Sequence, residues 1–249
     1  MKILGIESSS LVASVALVTD DVTTAEYTVN FKKTHSQTLL PMIDQIVTLL
    51  ELDLKTIDAI AVSGGPGSFT GLRIGSATAK GLGLALEKPL VHVPTVDAMA
   101  YSLYGAAAVI CPVMDARRNQ VYTGLYRYLR EFQVLKGQCI MAVEDLAREL
   151  NRLGEPVIFL GDGVPVYREL LENRLGIPCD FAPAQCNRQR AAAVAALGAV
   201  YFRQGQAESA ADHVPDYLRK SQAERELEEA RQKGLAGELA AGHAVGAQP

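Results

Sequence analysis

Apolar positions along this chain change period repeatedly, and those changes divide it into elements. Residues 2–7 form a short apolar run, 8–11 a serine-rich turn and 12–18 a second run, the pattern of a buried hairpin. Ala25, Tyr27, Val29 and Phe31 alternate with Glu26, Thr28 and Asn30, the period of two that a half-exposed third strand requires. From Ser36 to about residue 52 the spacing turns helical. Leu39, Leu40, Ile43, Ile46, Val47 and Leu50 make a stripe that Met42 and Leu49 widen. A helix apolar over so much of its girth has two partners, its own sheet and either a second helix or another subunit. A strand at 57–62, a helix from Ser68, a strand at 90–93 and a helix capped by Thr95, carrying Val96, Met99 and Leu103, follow. Strands separated by helices predict a parallel continuation of the sheet.

A second unit opens in the same way. Residues 107–114 read as a strand, 115–120 as a polar turn and 121–128 as a hairpin partner. A strand at 139–142, a helix at 144–153, a strand at 156–160 and a helix from Val164 come next, with Gly154 and Gly176 placed as helix-ending glycines. A strand near 177–181 and an alanine-rich helix at 190–204 close it. Residues 217–233 are charged and helix-prone, and 234–249 are small and polar, the composition of a disordered tail. The expected division is therefore 1–104, 105–216 and 217–249.

The densest signal is VSGGPGSFTGLRIGSATAKGLGLAL at 62–86. Gly67, Gly71, Gly75, Ala79 and Gly83 fall four apart on a helix, and the three interior glycines of that row cost about 3 kcal/mol against alanine. Small residues at that spacing make a groove that another helix can cross closely, flanked here by Phe69, Leu72, Ile74, Leu82 and Leu84. The groove either packs a helix of the same chain or receives a partner. As a nucleotide loop the stretch is weak: GxxxxGK[ST] is absent, and Gly65, Gly67 and Gly71 are spaced one residue off the dinucleotide pattern.

Composition narrows the field. With 49% apolar and 21% charged residues the chain is an ordinary globular one, and a net charge of −4 supplies no global field for nucleic acid. Its four cysteines show no CxxC spacing, which fits reduced thiols in a cytoplasmic protein. Glu7 and Ser8–Ser10 interrupt the first apolar run too early for a signal peptide, and no run approaches the ~20 residues that span a bilayer.

Six motifs then point one way. ILGIESSSLVASVAL (3–17), HSQTLLPMID (35–44), SGGPGSFTGLRIGSATAKGL (63–82), DARRNQVY (115–122), GDGVPVY (161–167) and PDYLRKSQAERE (215–226) resemble the bacterial TsaB family, once called YeaZ. The resemblance implies an α/β actin/hexokinase/Hsp70-like (ASKHA) fold of two similar halves. It implies a non-catalytic subunit that binds and activates the paralogue TsaD, which transfers threonylcarbamoyl to adenosine 37 of ANN-decoding tRNAs. The ATPase TsaE joins that assembly, and tRNA is met mainly through the complex. The isolated protein is expected to form a homodimer. ATP or ADP and a metal ion are expected in the partner or at the shared interface, with none bound by this chain alone. The expected partner surface is Leu39, Met42, Ile43, Ile46, Phe69, Gly71, Leu72, Gly75, Ala79 and Leu82.

The resemblance also frames the candidate chemistry. The catalytic relative holds metal with paired histidines on a helix, whereas His35 here is followed four residues later by Leu39. His92, His213 and His243 share no ligand spacing, so no metal ligands are assigned. Glu7 and Asp115, one from each half, can face each other across a cleft and hold Mg²⁺ with phosphate. Equally, Glu7 and the serines after it can close a tight turn by hydrogen bonding. Gly161-Asp162-Gly163 can imitate an adenosine-binding turn or be a plain strand-to-helix connection. Arg117, Arg118, Arg127 and Arg130 are the one local basic cluster, suited to phosphate contacts or to solvating a hairpin. The alternatives to a binding subunit are an ATP-dependent phospho- or carbamoyl-transferase using Glu7 and Asp115, or a peptidase acting on TsaD.

Overall fold

The structure, a computed structural model, describes residues 1–219. The expected helical stretch 217–233 falls almost wholly outside those residues, and the tail 234–249 entirely so. Alternation within strands decides which helix covers which face. In β1 (Lys2–Glu7) Leu4 and Ile6 point one way and Ile3 the other. β4 (Ala59–Gly65) repeats this with Ile60 and Val62 against Ala59 and Ala61, and β5 (Leu90–Pro94) with Leu90 against Val91 and Val93. The branched face packs on α1 (His35–Leu49) and α2 (Phe69–Leu86). The small-residue face packs on α6 (Ala191–Arg203), with Gly5 and Gly198 at the closest approaches.

The strands β2 (Val12–Thr19) and β3 (Val22–Asn30) extend the sheet antiparallel to β1, while β4 and β5 continue it in parallel. The order is β5-β4-β1-β2-β3. A short α3 (Thr95–Tyr101) follows β5. The second sheet contains β6 (Ala106–Asp115), β7 (Gln120–Tyr128), β8 (Phe132–Ala142), β9 (Val157–Leu160) and β10 (Cys179–Phe181), in the order β10-β9-β6-β7-β8. Strand directions repeat those of the first sheet pair for pair. Helices α4 (Val143–Leu153) and α5 (Val164–Arg174) cover its outer face as α1 and α2 cover theirs. The duplicated α/β architecture expected of an ASKHA protein is present.

The halves are not closed units, however. α3 packs on the second sheet, where Val96, Met99 and Ala100 meet Ile110, Met114 and Tyr122. α6 and the two-residue strand β11 (Ala207–Glu208), antiparallel to β5, return to the first sheet. Each half therefore ends in a helix that covers the other half's sheet, and residues 191–208, drawn from the sequence with 105–216, pack on the first sheet. Asp97 of α3 ties the layers together. Its buried carboxylate accepts from Tyr126 Oη of β7 (2.7 Å) and Tyr201 Oη of α6 (3.3 Å). Local differences are small: β8 begins at Phe132 rather than 139, Thr34 rather than Ser36 precedes α1, and Leu175 rather than Gly176 ends α5.

Candidate functional site

The glycine row of α2 has a partner, and it is the turn between β1 and β2. Ser8 Oγ donates to Gly71 O at 2.9 Å, and Ser68 N donates to Ser9 O at 2.6 Å. A Cβ at Gly71 would overlap Ser8 O, one at Gly75 would overlap Ser8 Oγ, and one at Gly67 would overlap Ser9 O. Gly67 lies just before the helix, and the helical cost of Gly71 and Gly75 is offset inside the chain by close passage of the serine turn. Ser68 caps the helix, its side chain accepting from Gly71 N.

Most of the surface drawn from the sequence is covered within the chain. Leu39, Met42, Ile43, Ile46, Leu72 and Ala79 lie in the core, Gly71 and Gly75 face the serine turn, and Leu82 is half-buried against α1. Phe69 is partly covered by Tyr217, ring centroids 4.8 Å apart, and by the Arg73 guanidinium, 4.1 Å from its ring centroid. Both helices are wider in apolar character than one neighbour needs, and their own sheet and each other absorb most of that width. What faces outward on α2 is a different row: Thr70, Arg73, Ala77, Gly81, Leu84 and Ala85. Nothing lies within 4 Å of a Cβ built at Gly81. On α1 the outward positions are Gln37, Leu40, Pro41, Asp44 and Thr48, with Leu49 81% exposed at the helix end.

Each of the two candidate acids is engaged by its own half. Glu7 Oε1 accepts from Ser9 N (2.6 Å) and Ser9 Oγ (2.5 Å). Burial pushes its carboxyl up to about 7 against those two bonds, and the neighbouring Asp162 adds to the rise. Asp162 is itself raised, first by burial, while Gln189 donates to it. Asp115 accepts from Arg117 N (2.8 Å) and Tyr167 Oη (3.0 Å). Asp162, which the sequence offers only inside a glycine turn, thus interacts electrostatically with both Glu7 and Asp115. Gly161, at φ +117°, and Gly163 are pressed against the Val113 carbonyl, and Gly163 N donates to it at 2.9 Å. That turn reads as a packed connection. Next to Asp115, Arg117, Arg118 and Asn119 are successive left-handed residues at φ +65°, +56° and +56°, a local strain of the kind that functional loops hold. Of the arginine cluster, Arg117 pairs with Asp115 and Arg127 with Glu155.

The histidines divide in two groups. His35 is buried with Nε2 bonded to Val12 O at 3.1 Å, a satisfied core histidine. His92 and His213 are 121 positions apart in sequence yet their ring centroids are 5.6 Å apart. His213 Nδ1 pairs with Glu208 at 2.6 Å, and His92 Nε2 lies 3.3 Å from Asp216. Burial lowers the His213 pKa, outweighing the pull of the Glu208 carboxylate in the other direction. No linear spacing announces this group, because β5 and the segment after β11 are brought together only by the closing of the first sheet.

Comparison with known proteins fits this architecture. A family model described as TsaD, tRNA N6-adenosine threonylcarbamoyltransferase, matches residues 26–227. Together with the duplicated sheets it defines an actin-like protein related to TsaD. The chain is 34% identical over 226 residues, 90% of its length and 96% of the relative's, to the tRNA threonylcarbamoyladenosine biosynthesis protein TsaB of Bacillus subtilis. It is 38% identical over 130 residues to the Escherichia coli protein of that name, a match spanning 51% of this chain and 55% of the other. YeaZ from Pseudomonas aeruginosa superposes with a TM-score of 0.75 at 26% identity, over 87% of this chain and 99% of that one. Within that class, the chain belongs to the TsaB (YeaZ) family. No helix among the described residues is long and apolar enough to cross a membrane.

Proposed function

We propose that this chain acts in the biosynthesis of threonylcarbamoyladenosine in tRNA, as a non-catalytic cytoplasmic subunit that binds and activates a TsaD-type transferase. One observation carries the non-catalytic part. At the first turn of α1, where the resemblance places the catalytic relative's histidine pair, His35 is spent on the Val12 carbonyl and Leu39 is a core residue. A lone, internally bonded histidine makes no ligand set. The docking face follows from the outward rows of α1 and α2. Ala77, Gly81 and Ala85 form a shallow stripe beside the exposed Leu84, and a partner helix can approach such a stripe closely. TsaE and the tRNA belong to the assembled complex, and the isolated chain pairs with itself through the same face. ATP or ADP and the metal ion belong to the partner or to the shared boundary.

Reconstitution tests the proposal. TsaD with its substrates and tRNA modifies adenosine efficiently only when this chain is added. Full modification in its absence defeats the reading. Ala77→Arg and Gly81→Arg keep the fold and weaken association with TsaD by about tenfold or more, since they fill the stripe without touching the core. A second reading, an ATP-dependent transferase, draws on the raised pKa of buried Glu7 beside Asp162. Calorimetry of the chain with Mg-ATP separates the two: binding that Glu7→Ala abolishes favours the enzyme.

A further inference from the structure

The region after α6 is held to the first sheet by polar contacts rather than by strand length. β11 pairs with β5 over two residues only, Ala207 opposite Val91 and Glu208 opposite Leu90. Beyond it, Lys80 Nζ of α2 donates to Ala211 O (2.8 Å) and His213 O (3.0 Å), and Asp216 N donates to Gly64 O (2.6 Å). These contacts carry His213, whose side chain is fully buried, to the ring of His92 in β5. His92 stands over Gly64, where a Cβ would overlap its ring, so glycine there is what admits the imidazole.

Two ring nitrogens at this place, Nε2 of His92 and Nε2 of His213, are buried and have no hydrogen-bond partner. Buried polar atoms are almost always partnered, and His213 Nε2, together with His92 Nε2 whose one polar neighbour is the Asp216 carboxylate, needs an explanation. One ligand atom from each of His92, Glu208 and His213 lies within 4.8 Å of the other two, and the Asp216 carboxylate is 3.3 Å from His92 Nε2. Four donors around an ion with bonds of about 2.0–2.1 Å stand roughly 3.3 Å apart, so the group must draw closer together to close on an ion.

We propose that His92, Glu208 and His213, with Asp216 beside them, form a binding site for a divalent transition-metal ion, zinc foremost, at the β5–β11 edge. Imidazole and carboxylate donors without thiolate suit a borderline ion of this kind. The site is remote in sequence from Glu7, Asp115 and the His35 turn. Its role is structural: the ion clamps the segment leading from β11 to Tyr217, and so holds Tyr217 against Phe69 on α2. It does not depend on the proposed activation of TsaD.

The test uses the full-length chain, stripped with a chelator and titrated with Co²⁺ and then Zn²⁺. Expected are the visible absorption of a low-symmetry nitrogen–oxygen cobalt site at one equivalent, its loss on zinc addition, and a thermal midpoint several degrees higher with zinc. His92→Gln and Glu208→Gln, both partly exposed positions, keep the circular dichroism of the fold and weaken zinc binding by about tenfold or more. The proposal falls if neither the cobalt spectrum nor a thermal shift appears at a large excess of ion. It falls equally if folded His92→Gln and Glu208→Gln bind as the unaltered chain does, because the ion then sits elsewhere.

Discussion

Glycines on one helix of this protein have opposite duties, and substitution separates them. Gly75 faces Ser8 Oγ, which is itself fixed by its bond to Gly71 O. Gly75→Ala must displace that hydroxyl and break its bond to Gly71 O, and the buried polar groups left unpartnered cost about 2 kcal/mol or more. Gly81 faces open space, so Gly81→Ala gains about 1 kcal/mol from helix propensity. Denaturant midpoints of the two variants should move in opposite directions. Glu7 supplies a pH test. Its carboxyl titrates near 4.5 when unfolded and at about 7 when folded, chiefly through burial. Between those values the folded state holds a proton that the unfolded chain releases. Its contribution to stability is therefore complete below about pH 4.5 and is lost as pH rises through 7. Glu7→Gln carries no such titration. The stability of the native chain relative to this variant should fall by up to about 3 kcal/mol across that window, followed by chemical denaturation at each pH. At Arg118, φ +56° and exposed, Arg118→Gly should add up to about 1 kcal/mol, because only glycine adopts that conformation freely.

Element boundaries were readable wherever a single element determines them. Ser68 at the start of α2 and Gly154 at the end of α4 are sequence signals that the structure uses as read. α6 shows the opposite case. Its N-cap is Arg190, which makes no side-chain cap bond, and its first amides are satisfied from the sheet, by Ser14 Oγ for Ala191 and Glu26 for Ala192. No local motif can announce a cap supplied by residues more than 160 positions away. The helical stripes were likewise legible as apolar but not as to what covers them, since spacing marks a face and not its neighbour. Spacing therefore points to Leu39, Ile43, Ile46 and Leu72 as a partner surface and gives no sign of Ala77 and Gly81, whose exposure only the structure shows. Between elements, Tyr126→Phe removes the shorter of the two bonds to Asp97 and should cost about 1–2 kcal/mol, more than Tyr201→Phe, measured by urea unfolding.

At the scale of the whole molecule the duplicated order of strands was legible, because each half repeats hairpin, strand and alternating helix–strand units with its own turn residues. The exchange of closing helices was not. Both α3 and α6 are short, small-residue segments whose patterns fit either sheet, and the choice is made by shape: Gly5, Ala59 and Ala61 leave the first sheet flat enough for Gly198 and its neighbours to lie on it. A ribosome synthesising this chain therefore finishes β5 at Pro94 and must add roughly a hundred residues before α6 exists to shield the other side of that sheet. During that interval Ile3, Val91 and Val93 are bare to solvent or to whatever binds nascent apolar surface. Stalled chains ending before 191 should stay sensitive to protease throughout, and those that have released 203 from the exit tunnel should become resistant in both halves together.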